Sequence, residues 1–362
     1  MLFSLSLLSL AISFILLRLV VNLCYRKKIF DGQDGRKIHS GNIPRVGGIA
    51  FVPAAIIAFL IFVLYFSLTG DNAIIGVHKS FIHDAIVVVC AIAIIYGFGV
   101  IDDIKGLRYR DKFGYQIAVG LLLCFCGIYL RSLQGILGLY NIPLAFGFFV
   151  TIFLLVLAIN AFNFIDGIDG LSSGIAILSL SYYAVVLHAA GNQFYVFAVL
   201  MAVALLPFFY FNVFGKESRK NKTFMGDTGS TVLGLVLFLL AIIVNEEVDS
   251  QELYKNSFVL GITPLLLPFY DVFSVVFYRL INGKNPFKAD DNHFHHKLLR
   301  LGLSQHMTLI VELVVFVLIC TWTLALVKYI NLNIIIGTSL LLWIVVNMWL
   351  ANKVKEKPII KQ

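Results

Sequence analysis

The sequence has few charged residues: Asp, Glu, Lys and Arg make up 13% of its 362 residues, about half the share found in soluble globular proteins. Hydrophobic residues make up 60%, whereas a soluble domain has roughly 45–50%. This composition excludes a soluble enzyme, a disordered tail and a nucleic-acid-binding module, so no nucleic-acid partner is expected. It is typical of a chain surrounded mostly by lipid.

Cysteines are also few, and none lies in a polar loop; the five are Cys24, Cys90, Cys124, Cys126 and Cys320. We interpret them as small hydrophobic residues of a membrane core. The spacing of Cys124 and Cys126 does not match a CxxC redox or zinc motif, so we expect neither disulfides nor a thiol site. Internal repeats and linkers are absent, and residues 1–362 are expected to form a single polytopic transmembrane domain.

The sequence contains eleven long apolar segments. A helix needs about 20 apolar residues to cross a bilayer, so each segment predicts a transmembrane helix. The predicted fold class is therefore all-α, a polytopic membrane helix bundle with about 11 transmembrane helices. The segments lie near 2–25, 47–68, 81–101, 114–131, 142–159, 171–190, 194–214, 229–244, 257–280, 307–328 and 331–351.

Lys and Arg are distributed unevenly among the loops. Twenty-two of them lie in the first, third, seventh and ninth loops and the C-terminal tail, whereas the alternate loops hold only Lys79, Arg131, Lys255 and Lys328. Because cytoplasmic loops are enriched in Lys and Arg, the N-terminus is predicted to lie outside and the C-terminus in the cytoplasm. We expect a multi-pass protein of the plasma (inner) membrane.

Acidic residues crowd at segment ends on the side predicted to be cytoplasmic. The first cluster is Asp102-Asp103, at the inner end of the third segment. Adjacent carboxylates repel each other unless a cation lies beside them, and a helix C-terminus disfavours negative charge. The pair would also fit a simple helix end, but its position favours a functional site.

The second cluster lies in N-A-F-N-F-I-D-G-I-D-G-L. Asn160, Asn163, Asp166 and Asp169 recur there every three residues, which predicts that they share one helix face. The glycines that follow the two aspartates would let a ligand approach the backbone. Oxygen ligands suit a hard cation that also binds phosphate. A helix-capping loop is the structural alternative, since Asn, Asp and Gly are ordinary turn residues.

Two further motifs lie on the same side. F-M-G-D-T-G-S contains Asp227, a further candidate metal ligand, although Asp227 or Thr228 would equally cap a helix. D-D-N-H-F-H-H-K contains His293, His295 and His296 after Asp290. These histidines would fit a zinc site, a solvated loop, or a loop that binds phosphate and handles protons; the neighbouring clusters favour the last.

The segment R-K-I-H-S-G-N-I-P-R-V-G-G-I supplies Lys37 and Arg45 as candidate contacts for an anionic substrate, with membrane anchoring as the alternative. Asp84, Asp271 and Glu312 fall within or at the ends of apolar segments, where a carboxylate is costly and indicates function. An ion-coupled transporter would also place carboxylates in a membrane, but near the midplane and often within a repeat. A scaffold protein would need no such clusters.

The ordered motifs IPRVGGI, DDIKGL, NAFNFIDGIDGL, FMGDTGS and HFHH, between about Arg36 and Leu303, resemble the polyprenyl-phosphate N-acetylhexosamine-1-phosphate transferase family. The loop that carries His293, His295 and His296, which we call the His loop, is similar to the D-x-x-H-x-H-H motif of the branch that uses UDP-GlcNAc. The branch that transfers phospho-MurNAc-pentapeptide carries three consecutive histidines and fits less well. Relatives often have Lys or Arg where this chain has Asp291, which bears on the choice of sugar.

The resemblance implies an Mg²⁺-dependent enzyme, with Mn²⁺ as an alternative metal, and a cytoplasmic active site. Such an enzyme would transfer HexNAc-1-phosphate from a UDP-HexNAc to undecaprenyl phosphate and release UMP, the first membrane step of cell-envelope polysaccharide synthesis. The resemblance is also compatible with a homodimer. Asp102, Asp103 and Asp227 are expected to be catalytic, with Asp227 and Asp103 as metal ligands. The expected substrate-binding residues are Lys37, Arg45, Asn160, Asn163, Asp166, Asp169, His293, His295 and His296.

Overall fold

The computed structural model describes residues 1–27, 43–69, 75–249, 257–283, 292–327 and 329–355. Lys37 and Asp290 lie outside the described residues. The helices within these ranges are α1 (Leu2–Lys27), α2 (Gly47–Thr69), α3 (Ile75–Lys105), α4 (Tyr109–Phe125), α5 (Leu144–Ile165), α6 (Leu171–Ala189), α7 (Phe194–Val213), α8 (Gly226–Asp249), α9 (Ser257–Ile262), α10 (Leu266–Ile281), α11 (Phe294–Arg300), α12 (Gln305–Leu326) and α13 (Leu332–Lys355).

Among the described residues, ten helical segments are long and apolar enough to cross a membrane, and α9 with α10 forms one of them. Helices are expected there because lipid offers the backbone no hydrogen-bond partners. The chain is therefore a multi-pass membrane protein by its helix composition. The predicted fourth segment is the exception: it forms α4, which has only 17 residues and carries Arg110, Asp111 and Lys112 near its start.

The all-α prediction is confirmed, and the described residues add one small element that it did not include. Two short antiparallel strands, β1 (Ser132–Ile136) and β2 (Leu139–Asn141), form a hairpin between α4 and α5. Gln134 of the hairpin accepts a hydrogen bond from the Phe258 N–H at 2.9 Å, and Asn333 donates to the Gly135 carbonyl at 2.9 Å. The hairpin thus links the starts of α9 and α13 at one end of the bundle.

Helix α8 is the centre of the bundle, and 94% of its most apolar stretch is buried. Glycines allow its first turn to approach two neighbouring helices very closely. A Cβ atom at Gly48 of α2 would lie 2.2 Å from the Gly229 nitrogen, and one at Gly99 of α3 would lie 2.6 Å from the Thr228 Cα. This close packing brings the C-terminal end of α3 against the start of α8.

Several helix ends that carry polar motifs meet at the end of the bundle opposite the hairpin, which we call the site end. It contains the C-terminal ends of α3, α5 and α7 and the N-terminal ends of α4, α6 and α8. Helix α1 runs parallel to α7, because Ser9 donates to the Leu200 carbonyl and Ser13 to the Ala204 carbonyl. The start of α1 therefore lies away from the site end.

Candidate active site

Two carboxylates from different helices converge on one ammonium group at the site end. Nζ of Lys112 lies 2.8 Å from Oδ2 of Asp227 and also contacts Oδ2 of Asp102. Asp102 is 4% exposed, whereas the side chains of Lys112 and Asp227 are 27% and 28% exposed. The cluster is therefore open on the side of Lys112 and Asp227. Lys112 offsets the repulsion between the two carboxylates; sequence analysis treated it only as a loop cation.

Asp103 has a different role from its neighbour. One of its oxygens accepts a hydrogen bond from the Asp227 N–H at 2.7 Å; the other accepts from the Thr228 N–H at 3.0 Å and the Thr228 hydroxyl at 2.5 Å. These bonds satisfy N–H groups in the first turn of α8, which have no partner within the helix. The sequence indicated Asp227 or Thr228 as the cap; Asp103 of α3 supplies it.

Helix α5 contributes one of its two predicted side chains to this cluster. The amide of Asn163 donates to Oδ1 of Asp227 and to the Ser230 hydroxyl, both at 2.9 Å. The amide of Asn160 instead donates to Gln116 of α4 at 2.8 Å. The predicted shared face of four residues is wrong, because α5 ends at Ile165 and both aspartates follow in a loop.

Asp166 lies at the C-terminal cap of α5, where its carboxylate accepts a hydrogen bond from the Ser172 hydroxyl at 2.5 Å. Burial raises the pKa of Asp166 to about 7, although the nearby charge of Arg45 lowers it. A carboxyl group with this pKa can both donate and accept hydrogen bonds near neutral pH. Asp166 is therefore a carboxyl group at the site end that changes its protonation state near neutral pH.

Asp169 belongs to a second charged pair. Its carboxylate lies 2.5 Å from Nζ of Lys222 and accepts a hydrogen bond from the amide of Asn212 at 3.3 Å. The Asn212 oxygen in turn accepts from the Gly170 N–H at 2.6 Å, where the backbone has φ +82° and α6 begins. Sequence analysis missed Lys222 and Asn212, since neither lies in a motif that suggests a partner for Asp169.

The segment around Arg45 lies beside the F-M-G-D motif. Arg45 forms a parallel bridge with Phe224, and the Gly47 and Gly48 N–H groups donate to the carbonyls of Phe224 and Met225, both at 2.9 Å. These backbone bonds bring the two motifs together although the sequence separates them widely. Arg45 is therefore placed at the site end, close enough to influence the charge of Asp166.

The His loop reaches the site end through α11. His293 caps this helix, and its Nδ1 lies 2.7 Å from Oδ2 of Asp271. The other Asp271 oxygen accepts from the Phe294 N–H at 3.0 Å. Asp271 thus supports both His293 and the start of α11. The ring of His293 lies 5.5 Å from that of Phe164 on α5.

His295 is 1% exposed and packs against the loop that carries Asp166 and Asp169. A Cβ atom at Gly167 would lie 2.3 Å from its Nε2, so the glycine makes room for this imidazole. Desolvation lowers the pKa of His295 well below its usual range, which favours a neutral ring at pH 7. The ring of His296 lies beside it at an interplanar angle of 39°, with centroids 4.2 Å apart.

A zinc site in the His loop gains no support. Within the described ranges, no group of three or more His, Cys, Asp or Glu side chains is arranged to hold a metal ion. All five cysteines are described, and all are free.

The structure brings together Asp102, Asp103, Asn163, Asp166 and Asp227, with Arg45, Asp169 and the three histidines around them, and it leaves Asn160 in the α4–α5 contact.

Comparison with known proteins identifies the family of the chain. The family model described as "Glycosyl transferase family 4" matches residues 85–245. The chain is 30% identical to the undecaprenyl-phosphate alpha-N-acetylglucosaminyl 1-phosphate transferase of Escherichia coli (strain K12), over 78% of this chain and 72% of that protein. It is also 30% identical to the probable undecaprenyl-phosphate N-acetylglucosaminyl 1-phosphate transferase of Bacillus subtilis (strain 168), with the same coverage. The chain therefore belongs to the polyprenyl-phosphate HexNAc-1-phosphate transferases of glycosyl transferase family 4.

Proposed function

We propose that the protein transfers GlcNAc-1-phosphate, or the 1-phosphate of a closely related HexNAc with its sugar, from a UDP-sugar to undecaprenyl phosphate. The convergence of Asp102 and Asp227 on Lys112 beside the start of α8 carries the proposal. That arrangement supplies a cation, which attracts phosphate, beside two carboxylates of the kind that bind a divalent cation. The names of the relatives support GlcNAc as the sugar. Transfer of phospho-MurNAc-pentapeptide is the alternative within the family.

An ion-coupled transporter is less well supported. Its site would lie near the middle of the membrane between repeated units, whereas Asp102, Asp103 and Asp227 lie at helix ends at one end of the bundle. In the proposed role, the enzyme commits a nucleotide sugar to the lipid carrier at the start of cell-envelope polysaccharide synthesis. Assembly as a homodimer stays a prediction.

The proposed reaction is a direct in-line displacement. An oxygen of the lipid phosphate forms a bond to the β-phosphorus of the UDP-sugar, the bond from that phosphorus to the bridging oxygen breaks, and UMP leaves with the bridging oxygen. The lipid phosphate is already a nucleophile, so no covalent enzyme intermediate is needed. Catalysis then depends on alignment and charge neutralisation, for which Lys112 is well placed.

The described residues fit a magnesium ion. Mg²⁺ is usually held by one or two carboxylates together with substrate phosphates and water, and Asp102 and Asp227 already reach one shared cation position beside an exposed surface. Asp227 would be the principal ligand. Asp102 would lie beside it in place of the predicted Asp103. Both oxygens of Asp103 accept bonds from α8, so Asp103 would hold Asp227 in place. Mg²⁺, or Mn²⁺ in its place, would neutralise the diphosphate when bound.

The remaining residues surround the donor in this proposal. Asn163 orients Asp227 through their 2.9 Å hydrogen bond. Asp166 and Asp169, held by Ser172 and Lys222, offer hydrogen-bonding groups to the uridine or the sugar. The three histidines and Arg45 would contact the diphosphate. Lys37, outside the described residues, keeps its predicted role as an anionic-substrate contact.

The acceptor also needs a path for its apolar tail. One face of α5 presents exposed aromatic rings to the surroundings: Phe146, Phe149, Phe153 and Phe164. Their spacing places them on one side of the helix, and the last of them lies beside His293. The face leads from the apolar part of the bundle to the site end, so it would guide a lipid whose phosphate enters the site.

The experiment that tests this function is UMP release by the purified chain in detergent. We expect release from UDP-GlcNAc only when undecaprenyl phosphate and Mg²⁺ are both present, and we expect release to stop in excess EDTA and return with added Mg²⁺ or Mn²⁺. A series of UDP-sugars, including UDP-MurNAc-pentapeptide, identifies the donor. Release that is independent of the lipid phosphate would contradict the proposal, and full activity in EDTA would exclude the metal.

The proposed active site faces the cytoplasm, where nucleotide sugars are made. The excess of Lys and Arg in the loops at the site end supports this orientation. In a chain without native cysteines, we expect Ser218→Cys to react with an impermeant thiol reagent only after cells are opened. Leu137→Cys, at the exposed hairpin, should react in intact cells. The opposite pattern would place the site outside and overturn the orientation.

A further inference from the structure

Glu312 is a buried carboxyl group that the proposed reaction does not use. It lies in the membrane-spanning part of α12 and is 3% exposed. Ionisable residues inside a membrane are costly and usually serve a function with an identifiable partner. The residue that faces Glu312 therefore indicates what its function is.

The partner is His295 of the His loop. Oε1 of Glu312 lies 4.0 Å from Nδ1 of His295, and the two side chains are 4% and 1% exposed. This oxygen has no hydrogen-bond partner among the described residues. The separation is too long for a direct hydrogen bond, but a small side-chain rotation or one bridging water would join the two groups.

The other nitrogen of His295 faces the proposed substrate loop. Nε2 points at Gly167, where a Cβ atom would lie 2.3 Å away. Within the described part of the chain, this buried nitrogen also has no hydrogen-bond partner. A buried imidazole with one nitrogen towards a carboxyl group and the other packed against a loop is placed to support that loop.

A neighbouring pair shows the same arrangement with a closed hydrogen bond. Nδ1 of His293 lies 2.7 Å from Asp271, and the rings of His293 and His295 stack with an interplanar angle of 7°. Two stacked imidazoles thus each direct Nδ1 towards an acidic side chain from a membrane helix. Lys297, a cation on the same helix as His295, donates to Asn347 of α13 at 2.7 Å.

We infer that Glu312 is a positioning residue for His295: it holds Nδ1, so that Nε2 stays packed against Gly167 and the ring supports the loop of Asp166 and Asp169, which would bind the UDP-sugar. The inference rests on the proposed function for the identity of the ligand, but not for the pairing itself. In metal sites, removal of the group that orients a histidine lowers affinity or activity by roughly 10- to 100-fold. We expect an effect of the same kind here.

The first test measures the pairing without any activity. Melting temperatures are compared for the wild type, Glu312→Gln, His295→Ala and the double variant of the full chain in detergent. If the two residues act as a pair, the double variant loses less than the sum of the single losses, by about 2–4 °C. Losses that add fully would overturn the inference, whatever the enzyme catalyses.

The second test measures the consequence for the substrate. We expect Glu312→Gln to raise KM for UDP-GlcNAc, or to lower kcat/KM, by about 10-fold, with KM for undecaprenyl phosphate unchanged. Glu312→Asp should recover part of the loss, and Glu312→Gln should add nothing in the His295→Ala background. Thr323→Val, a buried change of similar size in the same helix, is the control and should match the wild type.

The two tests separate the inference from the proposed function. Coupled melting with wild-type kinetics for Glu312→Gln would show a structural contact only and overturn the positioning role. A wild-type chain that releases no UMP from any UDP-sugar would refute the proposed function and, with it, the donor as the ligand of the loop that His295 supports. Coupled melting together with a selective donor defect would support both.

Discussion

Replacing Asp227 by asparagine is expected to lower UMP release by about 1,000-fold or more, the upper range for loss of one charge-stabilising group at a reaction centre. The site converges on this residue: its carboxylate contacts Lys112 at 2.8 Å and Asn163 at 2.9 Å, and its N–H donates to Asp103 at 2.7 Å. Asparagine keeps the size of the side chain and the backbone bond, but it removes the charge that the proposed metal requires. The measurement is kcat at saturating donor and acceptor.

The control for this prediction is Asp111→Asn. Asp111 is an exposed carboxylate next to Lys112 on α4, so the change removes one negative charge close to the site without touching its contacts. We expect wild-type kcat for Asp111→Asn and similar melting temperatures for both variants. Asp227→Asn activity within tenfold of the wild type would show that Asp227 serves only the start of α8.

Replacing Lys112 by glutamine is expected to lower kcat by about 100-fold. The change removes the positive charge shared by Asp102 and Asp227, so the proposed metal alone would offset the two carboxylates and the incoming phosphates. Arginine should not restore full activity, because its planar guanidinium cannot take the place of a compact ammonium group. Steady-state kinetics with varied UDP-GlcNAc measure both kcat and KM.

Arg110→Gln provides the matched comparison for Lys112. It removes one positive charge from the same turn of α4, but Arg110 is exposed and its guanidinium lies over the neighbouring Tyr109 ring. A general loss of charge would reduce the activity of both variants equally. If Lys112→Gln kept wild-type kcat, the contact with the two carboxylates would be structural, and the proposed phosphate-binding role of Lys112 would be wrong.

The N-A-F-N-F-I-D-G-I-D-G-L segment shows where a local pattern misleads. The three-residue spacing from Asn160 to Asp169 predicted one helix face, but α5 ends at Ile165 and α6 begins after Gly170. The backbone departs from the helix at two places: Asp166 ends α5 with ψ +39°, and Gly170 precedes α6 with a positive φ. The recurrence of Asn and Asp correctly identified the polar residues of the segment, but it wrongly predicted that they lie on one helix.

The position of the fourth segment shows a second limit. Hydropathy over 114–131 predicted a span comparable to the others, yet α4 has 17 residues and the chain turns into a hairpin soon afterwards. Apolar composition reports where a chain prefers lipid; it does not report where the backbone stops being helical. The other ten segments were confirmed as helices long and apolar enough to cross a membrane.

The sequence by itself determined the membrane class, the approximate positions of the spans, and the set of polar motifs that carry the family resemblance. These properties depend on composition and short-range order, because lipid forces the backbone of each apolar stretch to satisfy its own hydrogen bonds. Only the tertiary structure decided which partners meet: Lys112 with Asp227, Asp103 with the start of α8, and Glu312 with His295. These contacts join different helices, and their formation depends on how closely glycines such as Gly48, Gly99 and Gly167 allow the neighbours to approach.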